Sequence, residues 1–303
     1  MDVTPPRIAV ISGGLGGARI ALAVRALGLD ASACFVTNVG DDLTVDGLLV
    51  CPDTDAVLYA LAGLFDEERG WGIRGDEFPQ ARPGKRRDGS AATAGIDTSG
   101  GSAGPGSAPA TRDGESTSRW FNLGERDYAH HARRRALLDS GLGLAAATAR
   151  LATDLGVTAR VIPATDDVVR TRIVTADGVL AWQEWLVRDA AAPRPIAVEY
   201  EGAESAEANH EALAALSDAD LVLFAPSSPV ASVAPLLAMP AYADALRNRV
   251  RRRASAGGSS AARPPRTVAV SPVVAPSARV RARSATRSRA RSTAAFTRSP
   301  SHA

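Results

Sequence analysis

The feature that most constrains this chain is the run Arg7-Ile8-Ala9-Val10-Ile11-Ser12-Gly13-Gly14-Leu15-Gly16-Gly17-Ala18-Arg19. A short β-branched segment meets a glycine cluster, and a helical apolar pattern follows from Ala18 through Leu22, Val24 and Leu27. Strand, glycine turn and helix in that order open an α/β sheet. The glycines let backbone N–H groups approach a ligand, and the helix N-terminus behind them favours an anion. On this reading Gly13, Gly14, Gly16 and Gly17 contact a phosphate, with Arg19 as a charged donor. A tight turn without a ligand fits the same glycines. The spacing Gly-Gly-x-Gly-Gly is not the dinucleotide fingerprint Gly-x-Gly-x-x-Gly, which argues against a nicotinamide dehydrogenase.

The 303 residues suffice for one large α/β domain or two smaller ones. No apolar run approaches membrane-spanning length and no N-terminal segment has a signal-peptide layout, so a cytoplasmic protein without a membrane partner is expected. Cys34 and Cys51 lie in apolar contexts, lack metal-ligand spacing and read as buried thiols of a reducing compartment. Of the 35 basic residues, 14 lie beyond Ala245, where there is no acid, which leaves 21 against 33 acidic residues in the rest. An acidic body carrying a basic tail makes the net charge of +2 uninformative about partners.

A second strand over 33–39 runs into Gly40-Asp41-Asp42, and a third apolar stretch stops at Cys51-Pro52-Asp53-Thr54-Asp55. Asp53 is placed to cap the helix that follows, roughly Thr54 to Phe65. Asp41, Asp42, Asp53 and Asp55 thus come from two sheet edges beside the glycine loop. Carboxylates near a phosphate point to Mg²⁺ or ligand hydroxyls, and turn or capping chemistry is their other reading. The loop Asp66 to Gly72 carries Trp71, which can stack on a planar ligand or simply pack. Residues 82–118 hold almost nothing large and apolar and read as a disordered insertion.

A helical pattern resumes after Trp120-Phe121-Asn122 and runs from about Arg133 to Leu151. Arg126 could hold a phosphate or pair with Asp127 or Glu125, and the adjacent His130 and His131 cannot share one helix face as metal ligands. A hairpin is predicted over Arg170–Val174 and Val179–Val187, with Trp182 to Trp185 in its second strand. A buried strand over 220–225 then ends in Pro226-Ser227-Ser228-Pro229, an edge rich in hydroxyls that suits a phosphate or a nucleotide base.

At this point the chain resembles the 2-phospho-L-lactate transferase family, including its actinobacterial phosphoenolpyruvate transferases of coenzyme F-420 biosynthesis. Seven motifs carry the resemblance in order: Gly13 to Arg19, Asn38-Val39-Gly40-Asp41-Asp42, Cys51-Pro52-Asp53-Thr54-Asp55, Asp66 to Gly72, Leu123-Gly124-Glu125-Arg126-Asp127, Gln183-Glu184-Trp185 and Ala225-Pro226-Ser227-Ser228-Pro229. The resemblance implies a Rossmann-like parallel sheet with helices on both faces and a small antiparallel addition. It implies a Mg²⁺-dependent transfer, without a covalent enzyme intermediate, of a phosphoenolpyruvyl or 2-phospho-L-lactyl group. The donor is joined to GMP through a diphosphate, GMP leaves, and the acceptor is the terminal ribityl hydroxyl of 7,8-didemethyl-8-hydroxy-5-deazariboflavin (FO). By that likeness Asp55 and Asn122 bind the acceptor and the glycine loop, Arg19, Ser227 and Ser228 bind the donor. Asp55 and Arg126 are the expected catalytic residues, and Asp41 and Asp42 the expected metal ligands. A homodimer is a family expectation, and a nucleic-acid partner is not expected.

Glu125, His130 and Ser228 depart from the family's Asp, Thr and Asn, and Ser228 loses a bidentate amide contact. The transferase domain is taken as 1–245, followed by a basic linker at 246–266 and a last core strand and turn at 267–274. The Arg/Ser/Ala tail at 275–303 replaces the family's glycine loop and helices, which suggests a frameshift; translation of the other two frames tests it. The rival function is a non-catalytic nucleotide-sugar-binding regulator of related fold.

Overall fold

The β-branched run forms β1 (Ile8–Ser12), buried along its whole length, as a strand covered on both faces must be. A computed structural model describes residues 5–78, 120–256, 266–269 and 279–283. In it β1 is the centre of a five-stranded parallel sheet. Its neighbours are β2 (Ala33–Thr37) and β9 (Leu221–Phe224), with β5 (Arg160–Pro163) and β10 (Arg266–Ala269) at the edges, in the order β10-β9-β1-β2-β5. The chain leaves β1 toward β2 on one side and returns as β9 on the other. The carboxyl end of β1 is therefore a topological switch point, where open α/β sheets bind ligands.

Alternation along β1 feeds two cores. Ile8 and Val10 pack with α1 (Gly14–Ala26), α2 (Pro52–Ala62), α3 (Glu125–Asp139) and α4 (Leu144–Asp154) through Ala18, Val57, Leu58, Leu137 and Leu151. Ala9 and Ile11 pack on the other face with Ala212, Leu216, Leu236 and Tyr242 of α5 (His210–Asp218), α6 (Ala234–Leu237) and α7 (Pro240–Ala256). The expected helix-covered sheet is thus present.

A second sheet holds β6 (Arg170–Thr175), β7 (Gly178–Ala181), β8 (Ala197–Glu201) and β11 (Arg279–Arg283), in the order β11-β8-β6-β7. β6 is antiparallel to β7 and β8, whereas β11 joins β8 in parallel. β3 (Leu43–Val45) and β4 (Leu48–Val50) make a hairpin whose turn holds Asp46 and Gly47 at positive φ, the two-residue geometry such hairpins prefer.

Several elements differ from the sequence reading. The helical pattern expected from about Arg133 to Leu151 is two helices, α3 and α4, parted at 140–143 where Gly141 takes a positive φ. The second strand of the 170–187 hairpin stops at Ala181, and Glu184–Arg188 turns into a π-helical coil. Glu184 causes the break, because its carboxylate accepts the Ala181 N–H at 2.8 Å and pairs with Arg188. The expected linker at 246–266 begins as helix, since α7 continues to Ala256. The Arg/Ser/Ala tail expected at 275–303 contains β11, whose Arg-Val-Arg-Ala-Arg has the period of a strand. The expected insertion at 82–118 lies outside the described residues. Among the described residues no single helix is long and apolar enough to cross a membrane.

Candidate active site at the carboxyl edge of the sheet

A cavity of about 520 Å³ opens where β1 and β9 end. The glycine loop forms its floor, the start of α2 and the loop after β2 form one wall, and the loop after β9 forms another. Trp71, Trp120, Phe121 and Trp182 supply a mostly aromatic third side. The glycines are there for space. A Cβ on Gly13 would collide with the Asp53 carboxylate and the Ser232 side chain, and one on Gly16 would collide with the Pro226 carbonyl. Gly14 lies at φ +50°, where a side chain is strained. Gly17 is set apart from the cavity, wedged against Ser12 and Val57, and so serves the packing of α1 on α2.

The hydroxyls after β9 brace these walls. Ser227 Oγ donates to the Gly13 carbonyl at 2.6 Å and accepts the Gly13 N–H at 3.2 Å, which ties β9 to the glycine loop. Ser228 Oγ accepts the Ala231 N–H at 3.1 Å and caps a π-helical turn at Pro229–Val233. Both residues line the cavity.

Two buried carboxylates face this space, Asp41 from the loop after β2 and Asp53 from the first turn of α2. Among the described residues only neutral donors hold them. Gln183 Nε2 donates to Asp41 Oδ2 at 3.1 Å, and Asn38 Nδ2 reaches Asp41 Oδ1 at 3.3 Å and Asp53 Oδ2 at 2.9 Å. Asp53 also accepts from the Ser232 hydroxyl and the Gly14 N–H. Burial raises the Asp41 pKa well above the carboxylate range, helped by the negative charges of Asp53 and Asp42. Burial likewise pushes Asp53 up to about 6, against the hydrogen bonds from Asn38, Ser232 and Gly14. The expected capping role of Asp53 is corrected here: the N-cap of α2 is Cys51, and the Asp53 side chain turns to the glycine loop.

Asp42, the other expected metal ligand, does not line the cavity. It is buried against Cys51 and Arg170, and burial pushes its pKa up to about 8 despite the Arg170 charge. Of the expected Asp41–Asp42 pair only Asp41 lines the cavity, where the second carboxylate is that of Asp53. Mg²⁺ is bound by one or two carboxylates together with substrate phosphates. Asp41 and Asp53, oriented and without a cationic partner in the cavity lining, fit that ion; Asp42 does not.

Asp55 is also absent from the lining. Its carboxylate forms a two-pronged ion pair with the fully buried Arg134 of α3, accepts from His130 at 3.2 Å, and accepts the Cys51 N–H at 3.1 Å. Burial alone would raise its pKa, but Arg134 and the His130 hydrogen bond hold it well below the usual range. Arg134 also donates to the Leu49 carbonyl and to His131 Nδ1, and His131 Nε2 lies 3.1 Å from Asp127, which accepts from Tyr59. This network joins α2 to α3 behind the wall of the cavity, so the expected catalytic and acceptor-binding Asp55 is placed as an anchor of that wall.

Arg19 and Arg126 are both exposed and outside the lining. Arg126 pairs with neither Glu125 nor Asp127; its guanidinium reaches the Arg74 carbonyl. Asn122 does line the mouth. The structure therefore brings together Gly13, Gly14, Gly16, Asp41, Asn122, Ser227 and Ser228, and leaves out Gly17, Arg19, Asp42, Asp55 and Arg126. Sequence reasoning passed over Asn38 and Gln183, although both stand inside motifs, because a lone amide carries no pattern of its own.

Residues 8–255 match the model of the family described as 2-phospho-L-lactate transferase CofD. The chain belongs to this family. The curated phosphoenolpyruvate transferase of Mycobacterium tuberculosis (strain H37Rv) is 36% identical over 264 residues, covering 80% of this chain and 70% of that protein. The Streptomyces coelicolor phosphoenolpyruvate transferase is 37% identical over 244 residues, covering 79% and 68%. A crystal structure of a UPF0052 family member from Bacillus halodurans shares the fold, with a TM-score of 0.50 and 16% identity over 80% of this chain and 66% of that one. As a member of the CofD family, the chain is a transferase of the phosphoenolpyruvate or 2-phospho-L-lactate kind, the class that works in coenzyme F-420 assembly.

Proposed function

We propose that this CofD-family transferase moves a phosphoenolpyruvyl or 2-phospho-L-lactyl group from a GMP-diphosphate-linked donor to the terminal ribityl hydroxyl of FO. The hydroxyl oxygen bonds to the phosphorus that carries the three-carbon acid. The bond from that phosphorus to the bridging oxygen breaks, GMP leaves with the oxygen, and the hydroxyl proton is lost. Such a transfer depends on alignment and charge stabilisation more than on a strong base.

The observation that carries this reading is the charge of the cavity. Its lining includes Asp41 and Asp53 but, among the described residues, no Lys, Arg or His. Such a lining offers a diphosphate no compensating positive charge, which a cation entering with it would supply. On this reading Asp41 and Asp53 hold Mg²⁺, which when bound offsets charge on the diphosphate and on the leaving phosphate. The backbone at Gly13–Gly16 approaches the donor phosphates at the start of α1. Trp71 and its aromatic neighbours offer flat, water-poor surface to the deazaflavin ring, and Asn122 lies at the mouth. Asp55 and Arg126 act on the wall and not on the reacting atoms.

The test is a titration with FO, followed by its fluorescence, together with GMP release from each donor, for wild type and Asp53→Asn. Saturable FO binding by both, with Mg²⁺-dependent GMP release by the wild type alone, is expected. A folded wild type that binds no FO and releases no GMP from either donor would sink the proposal.

A further inference from the structure

We propose that Asn38 is a positioning residue for the divalent cation: its side-chain amide sets the spacing and orientation of Asp41 and Asp53. The proposal rests on the cation reading above and goes beyond it by naming what makes two like charges converge.

Asn38 follows β2 directly and is 1% exposed. Its Nδ2 lies 2.9 Å from Asp53 Oδ2, 3.3 Å from Asp41 Oδ1 and 3.1 Å from the Ala231 carbonyl, and its Oδ1 accepts the Gly40 N–H at 2.9 Å. One amide thus touches the loop after β2, the first turn of α2 and the loop after β9, which are separate walls of the cavity. An amide nitrogen has two hydrogens, so three acceptors use all it can donate, and the bond to Gly40 fixes the amide plane from its other end.

The chemistry of the donor decides what the site can bind. An arginine here would also gather two carboxylates, but it would cancel their charge, as Arg134 does for Asp55. An aliphatic side chain would offer no donor and leave the carboxylates to repel one another. A neutral amide holds both in place and leaves their oxygens unpaired with any cation of the protein, open to one that arrives. Each carboxylate has about four lone-pair sites, so the bonds from Asn38, Gln183, Ser232 and Gly14 still leave oxygen capacity toward the cavity.

The experiment is a Mn²⁺ titration of the full chain, reading free Mn²⁺ by electron paramagnetic resonance, for wild type, Asn38→Ala and Asn38→Ser. FO affinity and thermal melting are measured on the same samples. Mn²⁺ binding should weaken about 10–100-fold in Asn38→Ala, as on loss of an outer-shell partner, and less in Asn38→Ser, which keeps one donor. FO affinity should stay within about twofold, because Asn38 lies behind the cavity lining, whose aromatic side comes from other segments. The apparent KM for Mg²⁺ should rise far more than kcat falls at saturating Mg²⁺. A folded Asn38→Ala with wild-type Mn²⁺ affinity overturns the proposal and leaves the cation reading intact. So does equal loss of Mn²⁺ and FO binding, or failure of both variants to fold, since either makes Asn38 a part of the scaffold only. A wild type that binds no Mn²⁺ overturns both.

Discussion

Asp53 and Asp55 stand two residues apart in the first turn of α2, equally buried at 3% and 4% exposure, and their surroundings are opposite. Asp55 has a guanidinium, a histidine and a backbone N–H, so its charge is cancelled and its carboxyl is held strongly acidic. Asp53 has an amide, a hydroxyl and a backbone N–H, so its charge is oriented without being cancelled, and its pKa rises to about 6. The difference separates two ways of tolerating a buried anion. One compensates it from within the protein and yields a structural joint; the other leaves it for something that arrives from outside.

The contrast predicts that the two aspartates fail differently when changed. Asp55→Ala strands the Arg134 charge in the interior and should cost about 3–5 kcal/mol of stability, read by urea denaturation. Replacing both partners, Asp55→Leu with Arg134→Met, should recover much of that loss. Asp53→Asn should melt close to the wild type while GMP release falls about 10²–10³-fold, the size found when a transition-state charge stabiliser is lost. If Asp53→Asn proves as destabilising as Asp55→Ala, the contrast breaks.

A pH scan sharpens the structural half. The folded-state pKa of Asp55 lies below its unfolded value of roughly 3.9. The stability it contributes is therefore complete above about pH 5 and is lost as the solution is acidified through and below pH 4. Asp55→Asn should flatten that acid limb of the stability curve. The smallest effect is expected from Trp71→Ala, which leaves both carboxylates in place. It should weaken FO about fivefold, for the ~1 kcal/mol of one aromatic contact, with little change in melting temperature because Trp71 is 44% exposed.

How much of this could be read from the chain follows the same line. The sheet was legible because β1, β2 and β9 are apolar runs with the length and punctuation of buried strands. The glycine loop was legible because only glycine fits so close to Asp53 and Pro226. Asp53 was harder: an acid after Cys51-Pro52 looks like a helix cap, and nothing local shows its side chain crossing to another loop. Arg133-Arg134-Arg135 looks like a solvated face, and its outer members are 48% and 54% exposed, yet Arg134 between them is 0% exposed. That burial is set by Asp55, 79 residues away, a separation that no periodicity records. The Trp182–Trp185 stretch reads as a continuation of the strand from Val179, and the bond from the Ala181 N–H to Glu184 ends that strand early.

The start of α3 has a consequence of its own. Gly124 lacks a side chain to cap the helix, and the cap comes from Asp76, whose two oxygens accept the N–H groups of Arg126 and Asp127 at 2.9 Å each. Glu77 adds its carbonyl to the Glu125 N–H, also at 2.9 Å. These bonds fasten the first turn of α3 to the segment that ends the loop after α2. A helix start held this way passes any loosening of its clasp straight to the cavity wall, because Asp127 and Arg134, which brace that wall, lie within three turns of it.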